Sequence, residues 1–291
     1  MTQQNGSMQG KICLVTGATA GIGEVTAREL ARFGAHVIVV GRSREKAAST
    51  VNQIKQQTAN ANVEFMLADL SSQRAIHQLA EQFKQQYNRL DVLLNNAGAL
   101  FMQRQETVDG LEMTFALNHL SYFLLTNLLL DTLKASAPAR IINVASDAHQ
   151  GSVIHFDDLQ GRQKYRGFSA YSQSKLANIL FTYELARRLA GTQVTANTLH
   201  PGFVASNFAT NNGWFYDKIF RFVAKYIAIS PEQGARTSVY LASSPEVANV
   251  SGKYFVKQKA ATSSRASYDE AAAQRLWQVS EVLTGLASSG A

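Results

Sequence analysis

Cysteine occurs once in the 291 residues, at Cys13, which excludes an internal disulfide and any zinc site built from cysteines. Its place inside KICLVTG reads as a small buried hydrophobe, and such usage fits a reducing, cytoplasmic compartment. Long apolar runs are missing as well. The stretch FLLTNLLLDTL falls short of the ~18 residues of a membrane span, so no transmembrane segment is expected. The N-terminal MTQQNGSMQG is polar and lacks the apolar centre of a signal peptide, so export is not expected. Charged residues make up 17%, and the net charge of +7, from 28 basic against 21 acidic residues, is spread along the chain. A nucleic-acid-binding surface concentrates its charge in an arm or patch, and none is present, so no nucleic acid is expected as partner. The six histidines form no i, i+4 ligand pair with a nearby carboxylate; they read as structural, and no metal is expected.

What the chain does contain is a regular alternation. KICLVTG, HVIVVG, NVEFMLAD, LDVLLNNAG, ARIINVAS, QVTANTLHPG and KYFV read as strands, most of them apolar at consecutive positions. Strands of that kind are buried on both faces, as in a parallel sheet covered by helices. Longer helical patterns separate them and supply the crossovers. GEVTARELARFGA closes at Gly34, and SPEQGARTSVYLAS opens with a capping box of Ser230 and Gln233 around Pro231. The fold class is α/β: a single doubly wound parallel-sheet domain with helices on both faces, over residues 10–256. A polar tail (1–9) precedes it and a C-terminal extension with a helix (257–291) follows. Two segments break the alternation, a long loop from Asp147 to Ala170 and an insertion over 207–229. Both follow strand ends, where open α/β sheets bind ligands.

VTGATAGIGEVTAREL is a strand, a glycine turn and a helix start. Gly17, Gly21 and Gly23 let the backbone turn tightly and approach a pyrophosphate, whose charge would face the free N–H groups of the helix N-terminus. The spacing departs from the usual dinucleotide fingerprint and lacks the Gly-Lys-Ser/Thr of a P-loop; on its own the turn reads equally as a tight βα connection. At the end of the second strand, where a carboxylate would hold an adenosine ribose, the chain has VGRSREK. Gly41 offers no acid, and Arg42 and Arg44 are suited to grip a 2'-phosphate through charge-assisted hydrogen bonds, pointing to NADP(H) over NAD. The alternative is a pair of solvated arginines at a helix start.

Together TGATAGIG (16–23), NNAG (95–98), Asn118 in LNHLSYF, Ser146 in NVAS, YSQSK (171–175) and HPG (200–202) resemble the short-chain dehydrogenase/reductase family and its Rossmann fold. HFDDLQ, YSQSKLANILFTYELARRL, GKYF and AAAQRLWQVSE resemble its retinol dehydrogenase-like branch. Two positions depart from the pattern: Ala145 precedes the serine, and Ser206 stands where a threonine is usual. The resemblance implies a dinucleotide held by Gly17, Thr19, Ala20, Gly21, Ile22 and Gly23, with Asp69 and Leu70 flanking the adenine and Asn96, Ala97 and Gly98 lining the adenosine side. Pro201, Gly202, Val204 and Ser206 would cover the nicotinamide. It also implies that Lys175 binds the nicotinamide ribose, beside Tyr171, and that Asn118 holds a water linking Lys175 to solvent. Asn95 reads equally as a structural strand-end residue.

The chemistry asks for a proton at the substrate oxygen while the cofactor carries hydride. A phenol of pKa ~10 is a poor base near neutrality. Lys175, one helical turn from Tyr171, supplies a charge that would stabilise the phenolate, and Ser146 would hydrogen-bond the reacting oxygen. The expected catalytic set is therefore Asn118, Ser146, Tyr171 and Lys175. Phe208, Trp214, Phe215, Tyr216, Phe220, Phe222 and Tyr226 crowd the 207–229 insertion. They are suited to wall a pocket for a small lipophilic alcohol or carbonyl substrate, to pack as an ordinary helix face, or, with Lys218, Arg221 and Lys225, to make peripheral membrane contact. FLLTNLLLDTL and KLANILFTYEL are helices through which family members pair, which suggests a homodimer. The expected activity is NADP(H)-dependent interconversion of a lipophilic alcohol and its aldehyde or ketone. The alternatives are a reductase of small polar carbonyls and a non-catalytic NADP-sensing protein.

Overall fold

The structure, a computed structural model of the chain, describes residues 7–204 and 229–286. Ser206 and the aromatic residues of the insertion, Phe208 to Tyr226, lie outside the described residues.

Seven parallel strands and one antiparallel strand form a single sheet in the order β3-β2-β1-β4-β5-β6-β7-β8. They are β1 (Ile12–Thr16), β2 (His36–Gly41), β3 (Val63–Leu67), β4 (Val92–Asn95), β5 (Ala139–Val144), β6 (Val194–His200), β7 (Tyr254–Val256) and β8 (Lys259–Ala261). The first seven are the strands read from the sequence. The helices are α1 (Gly21–Arg32), α2 (Arg44–Thr58), α3 (Gln73–Gln86), α4 (Met113–Phe115), α5 (Ser121–Leu128), α6 (Leu130–Ala135), α7 (Gly167–Arg188), α8 (Pro231–Ser243) and α9 (Glu270–Leu283).

The consecutive apolar residues of β1 show why the sheet is covered twice. Side chains alternate across a strand. Cys13 and Val15 pack with Leu30 of α1, Ile54 of α2 and Leu241 of α8, while Leu14 joins Ile76 and Phe83 of α3 and Phe181 of α7 on the opposite face. Caps set the helix ends. Gly34, at φ +93, closes α1 with a bond from its N–H to the Ala31 carbonyl; Ser230 and Gln233 form the reciprocal capping box that opens α8.

The chain after Val256 adds to this core. β8 pairs with β7, and α9 lays Trp277 between Phe123 of α5, ring centroids 5.0 Å apart, and Phe181 of α7 at 5.7 Å. The Arg188 guanidinium closes the other side, 4.0 Å above the indole. The C-terminal helix thus packs Trp277 against one ring on each of the two helices on which the homodimer expectation rested.

β1 and β4 are neighbours, with β2 and β3 on one side and β5 to β8 on the other. The direction of winding reverses there, which opens a cleft beyond the strand C-termini at the β1/β4 junction. Gly17, Asn96, Ser146 and Pro201 all follow directly on, or within two residues of, strand ends that face it.

Candidate active site

The glycine turn is braced from β4. Asn96 Nδ2 donates to the carbonyls of Thr16 (2.9 Å) and Gly17 (3.2 Å), and Thr16 Oγ1 accepts from the N–H groups of Asn96 and Ala97. Gly17, at φ +62, passes so close to Ala97 that a Cβ would sit 2.7 Å from its Cα; at Gly23 a Cβ would sit 2.5 Å from Asn96 Nδ2. The glycines are therefore required by backbone packing, and NNAG is the brace. Ala20 enters α1 with extended backbone and no side-chain cap, so Thr19, Ala20, Gly21 and Ile22 present a helix N-terminus to the cleft. A turn of this shape with uncapped donors fits a pyrophosphate.

The neighbouring positions are set by the same packing. A Cβ at Gly41 would lie 2.5 Å from Thr19 Cγ2, so the absence of an acid there also serves the turn. Arg42 is exposed and Ser43 caps α2. The Arg44 guanidinium leans over the Phe65 ring at 5.8 Å, and neither arginine forms an ion pair among the described residues. Asp69 is exposed, its carboxylate accepting from Ser71 N–H and Oγ; the Leu70 side chain turns into the α3-side core. Gly202, at φ +95, faces Ile229, and Val204 meets Ile22 across Gly234, which closes the segment 201–204 over the start of α1. Asn95 is fully buried, bonded to Asn143 and Thr126, and is structural.

Ser146 follows β5. Its Oγ accepts from Ala148 N–H at 3.2 Å, and the hydroxyl lies near enough the Tyr171 phenol to lower its pKa. Two histidines hold its backbone. His149 Nδ1 donates to the Ser146 carbonyl at 2.7 Å while Nε2 accepts from Ser264 N–H, and His200 Nδ1 accepts from Asp147 N–H. Burial lowers the pKa of both rings, consistent with neutral imidazoles in fixed tautomers. Sequence reading treated them as structural and had no signal for their place beside Ser146.

Tyr171 and Lys175 lie one turn apart in α7, the ammonium 5.6 Å from the phenol ring centroid. Lys175 Nζ donates to the Val144 carbonyl at 3.1 Å, and Gly98 leaves the room: a Cβ there would sit 3.1 Å from Asn118 Oδ1 and 3.4 Å from Lys175 Nζ. Asn118 lies on a π-helical turn, Ala116–Leu120, between α4 and α5. Such wide turns recur at functional sites. The Asn118 carboxamide exchanges two 2.9 Å bonds with the backbone of Ala99 and donates to Ser174 Oγ.

Electrostatics correct one expectation. Burial pushes the Tyr171 phenol up to about 12, against the lowering effect of the Ser146 hydroxyl, and pulls the Lys175 ammonium down to about 7. The scaffold disfavours charge on both groups, so the phenol is not made acidic by its lysine neighbour in the protein alone.

The start of α7 is fixed by contacts that sequence reading missed. A Cβ at Gly167 would strike the Phe101 carbonyl at 2.5 Å, and Tyr165 Oη donates to that carbonyl at 2.9 Å while lying 3.2 Å from the buried Glu112 carboxylate. The long loop before it is tied down by Asp158, which accepts from the N–H groups of Arg162, Gln163 and Lys164. Phe168 and Phe203 remain 61% and 37% exposed, with Phe168 6.5 Å from the Tyr171 ring, so the rim is aromatic. No cluster of metal-ligating side chains occurs among the described residues, and no helix among them is long and apolar enough to cross a membrane.

A glycine-braced phosphate turn and a Ser-Tyr-Lys constellation on a doubly wound sheet define a nucleotide-dependent oxidoreductase. The family model for short chain dehydrogenase matches residues 11–214, and the chain belongs to that family. Within it the chain lies in the retinol dehydrogenase-like branch. It is 44% identical to human retinol dehydrogenase 14, over 97% of this chain and 88% of that protein. It is also 42% identical to human polyprenol dehydrogenase, over 95% and 86%. Among solved structures, an uncharacterised protein from Mycobacterium paratuberculosis superposes with a TM-score of 0.78 at 34% identity, covering 95% of this chain and 94% of that one. The Pseudomonas aeruginosa RhlG/NADP active-site complex gives 0.69 at 27%, covering 88% and 96%.

Proposed function

We propose that the chain is an NADP(H)-dependent oxidoreductase interconverting a lipophilic alcohol and its aldehyde or ketone, with Tyr171 as the acid/base. The observation that carries this reading is the nearness of the Ser146 and Tyr171 hydroxyls, close enough for the serine to lower the pKa of the phenol, with Lys175 one turn behind. Two O–H groups converging at a strand end can bind one carbonyl or alkoxide oxygen. The cofactor, when bound, supplies or accepts the hydride. Tyr171 gives a proton to the substrate oxygen in reduction and takes it back in oxidation. Ser146 donates to the same oxygen as charge builds on it, and Lys175 stabilises the phenolate form. Asn118 fixes the π turn that faces Lys175.

NADP(H) is favoured by Arg42, exposed and without an ion pair among the described residues at the end of β2, where an acid would repel a 2'-phosphate. Binding by Gly17 to Gly23, Asp69, Leu70, Asn96 to Gly98, Pro201, Gly202, Val204 and Ser206 belongs to the same proposal. The lipophilic substrate class rests on the aromatic rim at Phe168 and Phe203 and on the relatives that carry the names retinol and polyprenol dehydrogenase. A cytoplasmic location is part of this reading and is tested by fractionation.

The test is reduction of retinaldehyde, long-chain aldehydes and small polar aldehydes, followed by NADPH and NADH absorbance. Lipophilic aldehydes with NADPH should turn over, and Tyr171→Phe should lose ~10²–10⁴-fold in kcat with cofactor affinity kept. Full activity of Tyr171→Phe would refute the acid/base role. Arg42→Ala should weaken NADPH far more than NADH, and equal weakening would refute the NADP preference.

A further inference from the structure

Asn178 lies on α7 one turn beyond Lys175 and is fully buried. Its Nδ2 donates to the main-chain carbonyl of Asn118 at 2.9 Å and to that of Val144 at 3.4 Å. The Val144 carbonyl is the acceptor that Lys175 Nζ also uses, at 3.1 Å. One carboxamide therefore clasps the π turn that carries Asn118 to the end of β5 that leads into Ser146, and it shares a carbonyl with the lysine.

The orientation of the amide is fixed by its partners. Two carbonyls require the nitrogen on that side, so Oδ1 must accept from His119 Nδ1, 3.3 Å away. His119 Nε2 is then an acceptor for Ser280 Oγ of α9 at 3.0 Å. His119 and Ser280 are both fully buried. The ring sits among Phe115, Phe123 and Phe181, and burial pulls its pKa down to about 4, against the raising effect of Asn178. A neutral imidazole of one tautomer thus holds the amide from behind, and α9 holds the imidazole.

We propose that Asn178 is a positioning residue for the reaction, setting both the placement of the Asn118 turn and the hydrogen-bond environment of the Lys175 ammonium, with His119 and Ser280 as its support. Every member of the chain is satisfied, and a buried polar network that is fully satisfied rigidifies what it touches. The titratable groups facing Lys175 Nζ are Tyr171 on its own helix and Tyr122 of α5, whose ring centroids lie 5.6 Å and 5.8 Å away; His119 lies beyond Asn178. A negative charge placed at Asn178 would lose both hydrogen bonds to the Asn118 and Val144 carbonyls and repel a phenolate, raising the pH at which Tyr171 acts as a base.

This inference rests on Tyr171 as the acid/base, so the wild-type enzyme and Tyr171→Phe run beside it. A wild-type protein without NADPH-linked turnover would defeat the functional reading, whereas an active wild type isolates the role of Asn178. The variants are Asn178→Asp, nearly isosteric, Asn178→Leu, which removes the amide at similar volume, and Asn178→Ser, which is too short to reach the carbonyls and is the mildest to fold. Thermal unfolding and NADPH fluorescence titration establish that each is folded and binds cofactor within about threefold of wild type. For Asn178→Asp the ascending limb of the pH profile for alcohol oxidation should move up by about 1 unit. For Asn178→Leu and Asn178→Ser kcat should fall by about tenfold or more, with KM little changed. A folded variant with wild-type kcat and an unmoved limb would overturn the proposal.

Discussion

Replacing Lys175 by methionine removes the charged nitrogen and keeps most of the side chain's volume. Lys175 is 4% exposed, and burial pulls its ammonium from 10.5 down to about 7. In the unfolded chain the group returns to its ordinary value, near ~10.4. Between those two values the unfolded chain binds a proton that the folded chain has released, so stability rises with pH. The stability is fully present above the unfolded value and is lost as pH falls toward 7, below which the folded protein carries the ammonium at a constant cost. At roughly 1.4 kcal/mol per unit, a separation of about 3 units amounts to on the order of 4 kcal/mol at neutrality. The lost hydrogen bond to the Val144 carbonyl offsets about 1 kcal/mol of that. Lys175→Met should therefore be more stable than the parent at pH 7 by a few kcal/mol while losing turnover, and the advantage should shrink steadily toward pH 9.5. Urea unfolding of both proteins at pH 7, 8.25 and 9.5 measures this. The two chains share every other titrating group, so their difference isolates the lysine. A difference that stays flat with pH would show that the ammonium is not held at a cost, and the argument from burial would fail.

Gly17→Ala should lose NADPH affinity and stability together, because the left-handed backbone and the 2.7 Å approach to Ala97 Cα leave no room for a methyl group; isothermal titration and thermal melts read the two losses. Trp277→Ala should cost ~3–5 kcal/mol in urea unfolding and uncover Phe123 and Phe181. Sedimentation of that variant then reports whether the bared faces of α5 and α7 draw chains together, and an unchanged stability would show that α9 is not part of the core.

How much of this was readable in advance depends on the range of the physics. The seven parallel strands were legible because burial on both faces writes a local signal, consecutive β-branched and apolar residues. β8 was not: Lys259, Ala260 and Ala261 are exposed, and the strand exists because Lys257 and Gln258, both at positive φ, turn the chain back on β7. Ser146, Tyr171 and Lys175 were picked out because NVAS and YSQSK, together with the other motifs, resemble those of the family; the spacing of Tyr171 and Lys175 alone reads equally as a helix surface. Asn178, His149 and Tyr165 were not, since their meaning lies in distant partners: Val144, 34 residues from Asn178, Phe101, 64 from Tyr165, and Ser264, 115 from His149. The acidity of Tyr171 was misjudged for the same reason. Spacing gives the distance to the lysine, but only the packed structure gives the burial that both groups share.

That shared burial has a consequence for the direction of the reaction at neutral pH. An ammonium about 5.6 Å from the centre of the phenol ring would, while it keeps its proton, attract a phenolate by roughly 3 kcal/mol at an effective dielectric constant of ~20, or about 2 units of pKa. Set against a phenol pushed up to about 12 and an ammonium pulled down to about 7, even that full contribution returns Tyr171 only to the ordinary range for a phenol and not to neutrality. Around pH 7 Tyr171 is then protonated, the form that delivers a proton to a carbonyl oxygen. Carbonyl reduction should accordingly hold its rate from pH 6 to 8, whereas alcohol oxidation should climb over the same interval by up to tenfold per unit, with its limb well above 8. Initial rates in both directions at saturating cofactor, across pH 6 to 10, test this. An oxidation limb below 7 would mean that the phenolate is stabilised by far more than one lysine at this distance can supply, and the source would have to be sought in charges other than Lys175.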